Sequence, residues 1–385
     1  MPETDNWREK RDQILDSARL IVIKVGSAVL TSPEGVDADV VGRLADQISN
    51  LIDKGKQVIL VSSGAVSAGT NYLQSLFSEH TMAEKQAAAA IGQSRLMHIY
   101  DGAFERYGKV TAQILLTRDD LRSRHRFLNA RNTFYSLLNN NVIPIVNEND
   151  TVVVQELEFG ENDFLASLIL NLVQADLFIN LTSAEGVFAQ NPEENPAAEK
   201  IDCIHSIKDW DIESQCNGKT SAGSGGMHTK MLAGRRASQL GVPTLIVSGK
   251  ETFVLEKVFS GLDLGTWILP DEKVVSQKKF WFAYNLDPVG SLFIDKGAVQ
   301  ALMFGGKSLL PAGVLDVRDE FQAGDLVRIK DHEGKQVGVG ITRFSSRDME
   351  KIKGKKSTQI SSALGFSVES EEAIHRDEML LDAVH

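Results

Sequence analysis

The chain has 385 residues, of which 42% are hydrophobic and 24% are charged, and these are the proportions of an ordinary folded protein. Its length exceeds what a single hydrophobic core usually organises, so we expect two domains. The net charge of −11 disfavours nonspecific binding to nucleic acid or to an anionic membrane, and any anion site must therefore be a local pocket of basic side chains.

Segments that would direct the chain into a membrane or out of the cell are not recognisable in the sequence. The N-terminal residues are polar and charged, and no later stretch is apolar over the length needed to cross a bilayer. We therefore expect a cytoplasmic protein with no membrane partner. Cys203 and Cys216 cannot build a disulfide framework, and without spaced metal ligands around them they are interpreted as incidental thiols, so no metal site is predicted.

The front part of the chain alternates apolar runs with segments of helical periodicity. This alternation predicts βαβ units around a large parallel sheet. The predicted strands end in residues rich in Gly, Ser and Asn, and such strand ends are where open α/β sheets hold ligands. The predicted elements are, in chain order, strand 19–25, helix 39–53, strand 57–61, a helix from 82 toward 107, and strands 110–115, 142–146, 177–181 and 244–247.

Lys24 stands near the end of the first predicted strand and is followed by Val25, Gly26 and Ser27. A cation followed by Gly-Ser where a buried strand ends is typical of a phosphate-binding loop. The alternative is an edge-strand lysine whose ammonium reaches solvent along its aliphatic stem. An anionic ligand is the first hypothesis for this end of the sheet.

Three polar turns lie at the ends of predicted elements. Two of them follow predicted strands, and the third begins a predicted helix. Ser62-Ser63-Gly64 would aim backbone N–H groups at a carboxylate or phosphate, or else serve as a helix cap without a ligand. The motifs at 147–150 and 160–163 share the pattern Glu-Asn-Asp, in which Asn can donate to a carboxylate and Asp can accept from an ammonium. The pair suits an amino-acid ligand, with simple turn formation and a helix-dipole charge at Asp163 as the alternatives.

A glycine-rich loop at 223–230 leads into a helix predicted to begin at Lys230. Its glycines allow close approach to phosphate oxygens, and Lys230 adds a mobile cation. The loop is not a standard nucleotide signature, because His228 replaces the last glycine of a G-x-G-x-x-G pattern. Gly218-Lys219-Thr220 superficially resembles the end of a P-loop, but Glu213 stands where the first glycine of that motif would be. The alternatives are a disordered linker and, for His228, a solvated loop residue.

The composition of the chain changes after Pro270. A polar connector at 271–279 leads to short apolar runs that are separated by glycines. Short strands with glycine turns predict a small β-barrel-like second domain. We therefore divide the chain into a first domain at 1–270, the linker 271–279 and a second domain at 280–385.

The polar motifs, taken in order, closely resemble those of the glutamate-phosphorylating members of the amino-acid kinase family. The resemblance spans roughly residues 19 to 270, and the order and spacing of so many motifs make coincidence an inadequate explanation. The tail, including 305–311 and 375–377, resembles the PUA domain that follows the kinase in many bacterial members. The motifs that carry the resemblance in the first domain are 22–27, 61–65, 92–96, 127–131, 147–150, 160–163 and 225–230.

The resemblance implies an α/β fold in which helices sandwich an open, mostly parallel sheet, with a small C-terminal β-rich PUA-like domain. It implies ATP-dependent phosphorylation of the γ-carboxylate of L-glutamate to L-glutamyl 5-phosphate, the first step of proline biosynthesis, with Mg²⁺ arriving on ATP. It further implies a homo-oligomer, dimer or tetramer, and a handover of product to glutamyl-phosphate reductase. RNA binding by the PUA-like domain has weak support, because the tail is nearly neutral.

The resemblance also implies roles for individual residues. Lys24 would contact the transferred phosphoryl group, Lys230 would stabilise the β/γ bridging region, and Asp163 would orient both lysines. Ser63, Asp150 and Asn162 match the glutamate-binding positions, with Asp150 as a partner for the substrate ammonium. The positions that match the nucleotide site are Lys24, Gly26, Ser27, Gly64, Thr182, Ser183, Ser224, Gly225, Gly226, Met227, His228, Thr229 and Lys230.

One departure and three rival readings accompany the resemblance. Family members usually carry Thr-Asp where this chain has Thr182-Ser183, so a carboxylate that could anchor the nucleotide is missing. The closest rival is another kinase on the same fold, such as an acetylglutamate kinase or an aspartokinase. The others are an RNA-binding protein with a relic kinase domain, and a glutamate or proline sensor that no longer binds ATP.

Overall fold

A computed structural model of the chain shows two compact units, Met1–Val274 and Val275–His385. The division falls within the stretch 271–279 of the sequence analysis, and the first helix of the second unit begins at Gln277, so the end of the predicted connector is helical. The residues that the structure describes are 6–32, 35–72, 81–152, 161–192, 194–212, 226–272, 274–368 and 370–381.

An eight-stranded sheet forms the centre of the first unit. The strands described in this unit, which include four outside the large sheet, are β1 (Leu20–Val25), β2 (Thr31–Ser32), β3 (Gly35–Val36), β4 (Gln57–Ser62), β5 (Val110–Leu116), β6 (Val142–Glu148), β7 (Leu177–Thr182), β8 (Val187–Phe188), β9 (Lys200–Ile201), β10 (Cys203–Ile204), β11 (Thr244–Ser248) and β12 (Thr266–Ile268). The sheet has the order β10-β12-β11-β7-β1-β4-β6-β5, and β2 with β3 and β8 with β9 form separate ribbons. Every neighbouring pair in the sheet is parallel except β11 with β12, which confirms the predicted fold class.

Helices accompany these strands in the alternation that the sequence predicts. The helices described in this unit are α1 (Asn6–Ser17), α2 (Ser27–Leu30), α3 (Ala38–Asp53), α4 (Ala65–Tyr72), α5 (Met82–Glu105), α6 (Arg118–Arg122), α7 (Arg124–Asn139), α8 (Glu161–Val173), α9 (Met227–Gln239) and α10 (Val254–Phe259). Helix α3 starts where it does because the Asp37 carboxylate accepts from the N–H groups of Asp39 and Val40 and thereby caps the helix. Within the described ranges, every helix is too short or too polar to cross a lipid bilayer.

Two element boundaries near the strand ends differ from the sequence prediction. Strand β6 runs to Glu148 and not to Val146, because Leu115 and Leu116 of β5 continue to pair with Asn147 and Glu148. Helix α9 begins at Met227, with Gly226 as its N-cap, so the end of the predicted glycine-rich loop is already the first helical turn. Both shifts bring polar residues from loops onto fixed elements of the sheet and its helices.

The central strands β1 and β7 are buried along their whole length. Helices cover both faces of such a parallel sheet, which explains why these strands are continuous apolar runs without alternation. Lys24 on β1 and Asn180 on β7 interrupt these runs, and the two residues are directly paired across the strands. Polar side chains at paired positions in a buried sheet require polar partners nearby.

Helices α4 and α5 pack at very close range through glycines. A Cβ atom built on Gly92 would lie 1.8 Å from the carbonyl oxygen of Ala65, and one built on Gly69 would lie 1.8 Å from that of Ala88. Side chains at either position would force the helices apart. This contact fixes α5 against the first turn of α4, directly after the Ser63-Gly64 turn.

The second unit is built around a five-stranded sheet in the order β14-β13-β15-β16-β17. Its strands are β13 (Gly290–Ile294), β14 (Val314–Arg318), β15 (Leu326–Lys330), β16 (Gln336–Ile341) and β17 (Met379–Leu381), and its helices are α11 (Gln277–Asn285), α12 (Lys296–Met303), α13 (Ser346–Ile352) and α14 (Ile360–Leu364). Strands β13 and β15 are parallel and the other neighbours are antiparallel. The predicted β-rich second domain is confirmed, but its described strands form an open sheet in place of a closed barrel.

We predict that Gly92→Ala destabilises the protein, because the new methyl group meets the backbone of α4, which cannot move away as a flexible side chain could. The expected loss is about 1–3 kcal/mol in the free energy of unfolding, measured in urea. Gly102→Ala is the matched control on the same helix, since a Cβ there has nothing within 4 Å. That variant should be up to about 1 kcal/mol more stable from helix propensity alone, and equal effects of both changes would contradict the packing account.

Candidate active site

The centre of the candidate site is the carboxylate of Asp163, which is fully buried in the first turn of α8. Its Oδ1 lies 2.7 Å from Lys24 Nζ and accepts from Asn180 Nδ2 at 3.0 Å. Its Oδ2 accepts from the Thr229 hydroxyl at 2.8 Å and lies 3.4 Å from Lys230 Nζ. The structure thus brings the two predicted lysines, which are far apart in the chain, to opposite oxygens of one carboxylate.

Secondary structure explains how these groups meet. Lys24 lies on β1 opposite Asn180 of β7, so both side chains leave the sheet on the same face. Helix α8 packs against α9, and the guanidinium carbon of Arg236 on α9 lies 4.6 Å from the ring centre of Phe164, which follows Asp163. A cation over an aromatic face is attractive, so this contact holds the helix that bears Lys230 against the helix that bears Asp163.

The electrostatics of the cluster follow from burial and from the paired charges. Burial alone would raise the pKa of Asp163, but the charges of Lys24 and Lys230 and the hydrogen bonds from Lys24 and Thr229 outweigh it and hold that pKa well below its usual range. Burial lowers the pKa of Lys230, and the carboxylate of Asp163 opposes this shift. The carboxylate is therefore ionised, and two ammonium groups around one carboxylate leave a net positive charge for an anionic ligand.

A second polar group adjoins this cluster at the ends of β4 and β6. The Asn162 amide nitrogen donates to Ser63 Oγ at 3.0 Å and to Asn147 Oδ1 at 2.9 Å. The Asn147 amide nitrogen in turn donates to Gln93 Oε1 at 2.8 Å. Since Asn162 immediately precedes Asp163, this amide cluster shares the first turn of α8 with the ion-paired carboxylate. Asp150 lies just beyond the end of β6 and is half-buried.

The glycine turns beside the cluster differ in what they offer. The Gly26 N–H donates to the carbonyl of Leu181 at 3.0 Å, so strand pairing already engages it. A Cβ at Gly26 would lie 3.6 Å from the Leu181 carbonyl oxygen and 3.9 Å from Lys24 Nζ, and both distances are ordinary van der Waals contacts. Gly64 has a φ of +105°, a conformation that favours glycine, and it turns the chain from β4 into α4. Ser27 begins the short helix α2.

The residues predicted to bind the nucleotide lie on two elements next to Lys24. Thr182 is buried at the end of β7, and Ser183 follows it and is exposed. Gly226 caps α9, and its first turn contains the remaining predicted residues, Met227, His228, Thr229 and Lys230. The hydroxyl of Thr229 is engaged by Asp163, so this side chain supports the carboxylate in addition to any role toward a nucleotide. Ser224 and Gly225 lie outside the described residues, as does Gly160 of the motif at 160–163.

Sequence reasoning did not assign Asn180, Asn147 and Gln93 to the site. Each of the three is buried and polar. The signal for Asn180 is a single amide within the apolar strand Leu177–Thr182, which needs a buried partner. Asn147 and Gln93 stand inside motifs that the sequence analysis quoted, but only the fold places them next to Asn162.

Two family models match the chain. Residues 19–248 match the model of the amino acid kinase family, and residues 290–364 match that of the PUA domain. The chain belongs to the amino acid kinase family, so the resemblance noted from its motifs is confirmed, and it is a kinase.

Curated relatives match the chain over nearly its whole length. A glutamate 5-kinase of Maridesulfovibrio salexigens is 57% identical over 373 residues, which cover 97% of this chain and 99% of the relative. A glutamate 5-kinase of Oleidesulfovibrio alaskensis is 55% identical over 379 residues, covering 98% of this chain and 100% of the relative. The glutamate 5-kinase of Geobacter sulfurreducens is 44% identical over 373 residues, covering 96% and 100%.

We predict that Asp163→Asn lowers the free energy of unfolding at neutral pH by about 3–5 kcal/mol, because it leaves two buried ammonium groups without their counter-ion. The native pKa of Asp163 lies below that of an unfolded aspartate, so its ionised form stabilises the fold above about pH 4, and this contribution is lost as the pH falls further. The stability gap between wild type and variant, measured by urea unfolding, should therefore be smaller at pH 3.5 than at pH 6.

The matched control for this variant is Asp263→Asn, which removes an exposed carboxylate that also pairs with two cations, Arg8 and Arg11. The carboxylate of Asp263 is exposed, and Arg11, the buried one of its two partners, keeps Asp12 as a counter-ion, so this change should cost only about 1 kcal/mol. A loss at Asp163 no larger than the loss at Asp263 would contradict the account of a buried, charge-balanced cluster.

Proposed function

We propose that this chain transfers the γ-phosphoryl group of ATP to the γ-carboxylate of L-glutamate, giving L-glutamyl 5-phosphate and ADP, the first step of proline biosynthesis from glutamate. The observation that carries the proposal is the pairing of Lys24 and Lys230 on one buried carboxylate beside the amide cluster around Asn162. Near full-length identity to relatives named glutamate 5-kinase supports the choice of acceptor.

The proposed reaction joins two anions, so repulsion between them is the main obstacle. An oxygen of the glutamate γ-carboxylate forms a bond to the γ-phosphorus, the bond from that phosphorus to the bridging oxygen breaks, and the electron pair leaves with ADP. Such transfers depend on cations and on in-line alignment, because little covalent chemistry is left to the protein. We assign these cations to Lys24, at the transferred phosphoryl group, and to Lys230, at the bridging oxygen.

Asp163 acts in this proposal as a positioning residue and not as a base. The acceptor carboxylate is ionised at neutral pH, so no proton has to be removed before it attacks. The carboxylate of Asp163 is itself held ionised and accepts from four surrounding groups, two on each oxygen. Its role is to keep both ammonium groups in place before the substrates bind, so that no reorganisation is needed during transfer.

The substrates are assigned to the two halves of the site. ATP, carrying Mg²⁺ on its phosphates, is placed along Thr182, Ser183 and the first turn of α9 from Gly226. Glutamate is placed beside Ser63, Asn162 and Asp150, with the carboxylate of Asp150 near the substrate ammonium. The side chains of Asn162 and Ser63 are already hydrogen-bonded to each other, which preorganises this half of the site. A homo-oligomer, a cytoplasmic location, product handover to a reductase and RNA binding by the PUA domain stay predictions from the sequence.

The proposal predicts ADP release that depends on L-glutamate, measured with purified full-length chain and Mg²⁺–ATP. N-acetylglutamate and L-aspartate serve as competing acceptors, and each should support turnover at least about tenfold less efficiently. The acetyl group removes the ammonium that Asp150 would pair with, and the shorter side chain of aspartate displaces its carboxylate from the in-line position. Faster turnover with either competitor would contradict L-glutamate as the acceptor and would identify that competitor as the substrate.

The proposal also predicts that Lys230→Ala lowers kcat at least about a hundredfold, as expected when a fixed cation at the transition state is lost. Asp163 keeps Lys24 as a partner in this variant, so the fold should persist, and circular dichroism can check this. Lys257→Ala is the control, because it removes a lysine that pairs with Glu251 at the surface. Near-normal kcat in a folded Lys230→Ala variant would contradict the role given to this lysine.

A further inference from the structure

Three buried amides form a continuous chain behind the proposed glutamate site. Gln93 comes from α5, Asn147 from the end of β6, and Asn162 from the first turn of α8. The links are Asn147 Nδ2 to Gln93 Oε1 at 2.8 Å and Asn162 Nδ2 to Asn147 Oδ1 at 2.9 Å. Helix, sheet and helix are thereby connected through groups that each have a donor end and an acceptor end.

Backbone atoms decide which way each amide in the chain points. The N–H of Glu148, which can only donate, gives its hydrogen bond to Asn147 Oδ1 at 2.9 Å. The carbonyl of Ser62, which can only accept, lies 3.5 Å from Asn162 Nδ2. A flipped Asn147 amide would place its nitrogen against the Glu148 N–H, and a flipped Asn162 amide would place its oxygen against the Ser62 carbonyl. Asn147 therefore directs its nitrogen at Gln93, and Gln93 must present its oxygen to accept from it.

This fixed polarity leaves one unpaired atom at each end of the chain. Among the described residues, Gln93 Nε2 and Asn162 Oδ1 are buried and have no hydrogen-bond partner. A buried acceptor without a partner is costly, and a ligand that donates to it removes that cost. At the end of the chain on α8, Asn162 therefore has an unpaired oxygen in the same amide whose nitrogen donates to Ser63, whereas the sequence analysis expected Asn162 only to donate.

Helix packing holds Gln93 at its end of the chain. The adjacent Gly92 lets α5 approach the carbonyl of Ala65 so closely that no side chain fits between them. Seven residues after Gln93, on the same face of α5, the Tyr100 hydroxyl lies 2.9 Å from Ser62 Oγ at the end of β4. Gln93 is thus placed by rigid contacts on both sides and not by a mobile loop.

We propose that Gln93 is a positioning residue of the amino-acid site. By accepting from Asn147 it adds to the backbone contacts at Glu148 and Ser62 and holds the amide chain in the orientation in which Asn162 turns its oxygen toward the substrate ammonium. An ammonium group has donors and no acceptor, so an oxygen attracts it and a flipped amide nitrogen would repel it. The inference rests on the proposed function, since it concerns the recognition of the same glutamate, and it makes Gln93 a determinant of specificity without contact to the reacting atoms.

The test compares L-glutamate with glutarate, which carries the same two carboxylates and no ammonium. Gln93→Met removes the acceptor at similar volume, and Gln93→Glu keeps an oxygen toward Asn147. We expect Gln93→Met to raise the KM for L-glutamate about tenfold while the inhibition constant of glutarate and the KM for ATP change less than about twofold. Gln93→Glu should keep the KM for L-glutamate within about threefold of wild type.

Several outcomes would overturn the inference. These are an unchanged KM for L-glutamate in Gln93→Met, an equal weakening of glutamate and glutarate, or a parallel rise in the KM for ATP. Gln47→Met is the matched control, because Gln47 is a buried glutamine on α3 that accepts from the Leu255 N–H, and its loss should lower stability and leave both KM values unchanged.

A second variant keeps the test decisive if Gln93→Met fails to fold. Gln93→Leu also removes the acceptor from Asn147 but has a different side-chain shape and adds no charge, so it should weaken glutamate selectively over glutarate as well. Calorimetric titration of L-glutamate and glutarate reads the same selectivity without turnover. A wild type that binds glutamate through its ammonium but releases no ADP would contradict the proposed function alone.

Discussion

The salt-bridged cluster of Asp163, Lys24 and Lys230 is the interaction on which the site depends. Two ammonium groups in a buried pocket repel each other and lose hydration, and one ionised carboxylate between them offsets both effects. The cluster holds only if β1, β7, α8 and α9 keep their mutual positions, because each supplies one of its partners. The parallel sheet and the stacking of Arg236 on Phe164 supply that rigidity.

The site separates two tasks that one turn of helix connects. In the proposed reaction, Asp163 arranges charge for a phosphoryl group, and Asn162, one residue earlier, arranges hydrogen bonds for an amino acid. Because both residues belong to the same turn of α8, a shift of this turn would alter donor and acceptor recognition together. This coupling suits a reaction in which two anions must be aligned within a few tenths of an ångström.

The sequence was sufficient for the fold class and for singling out Lys24, Lys230 and Asp163, which the structure brings together, and physical reasons explain what it missed. Apolar runs and glycine turns located the strands of the parallel sheet, and Lys24 stood out because a cation at the end of a buried strand is unusual. Asn180 and Gln93 escaped because their meaning depends on partners from distant elements that no local pattern reveals. The hydrogen bond from the Gly26 N–H to the Leu181 carbonyl likewise depends on strand pairing and not on a local pattern.

The assembly of the ion-paired cluster from distant segments ties catalysis to the completion of folding. Lys24 is near the start of the first unit and Lys230 near its end, so their meeting on Asp163 requires closure of long loops, which is the slow part of folding in parallel sheets. A chain lacking its later helices could bury much of the sheet and still hold no pair of converging ammonium groups. Turnover would then return only after the last long-range contacts have formed. The recovery of enzymatic activity would therefore measure the completion of refolding of this domain.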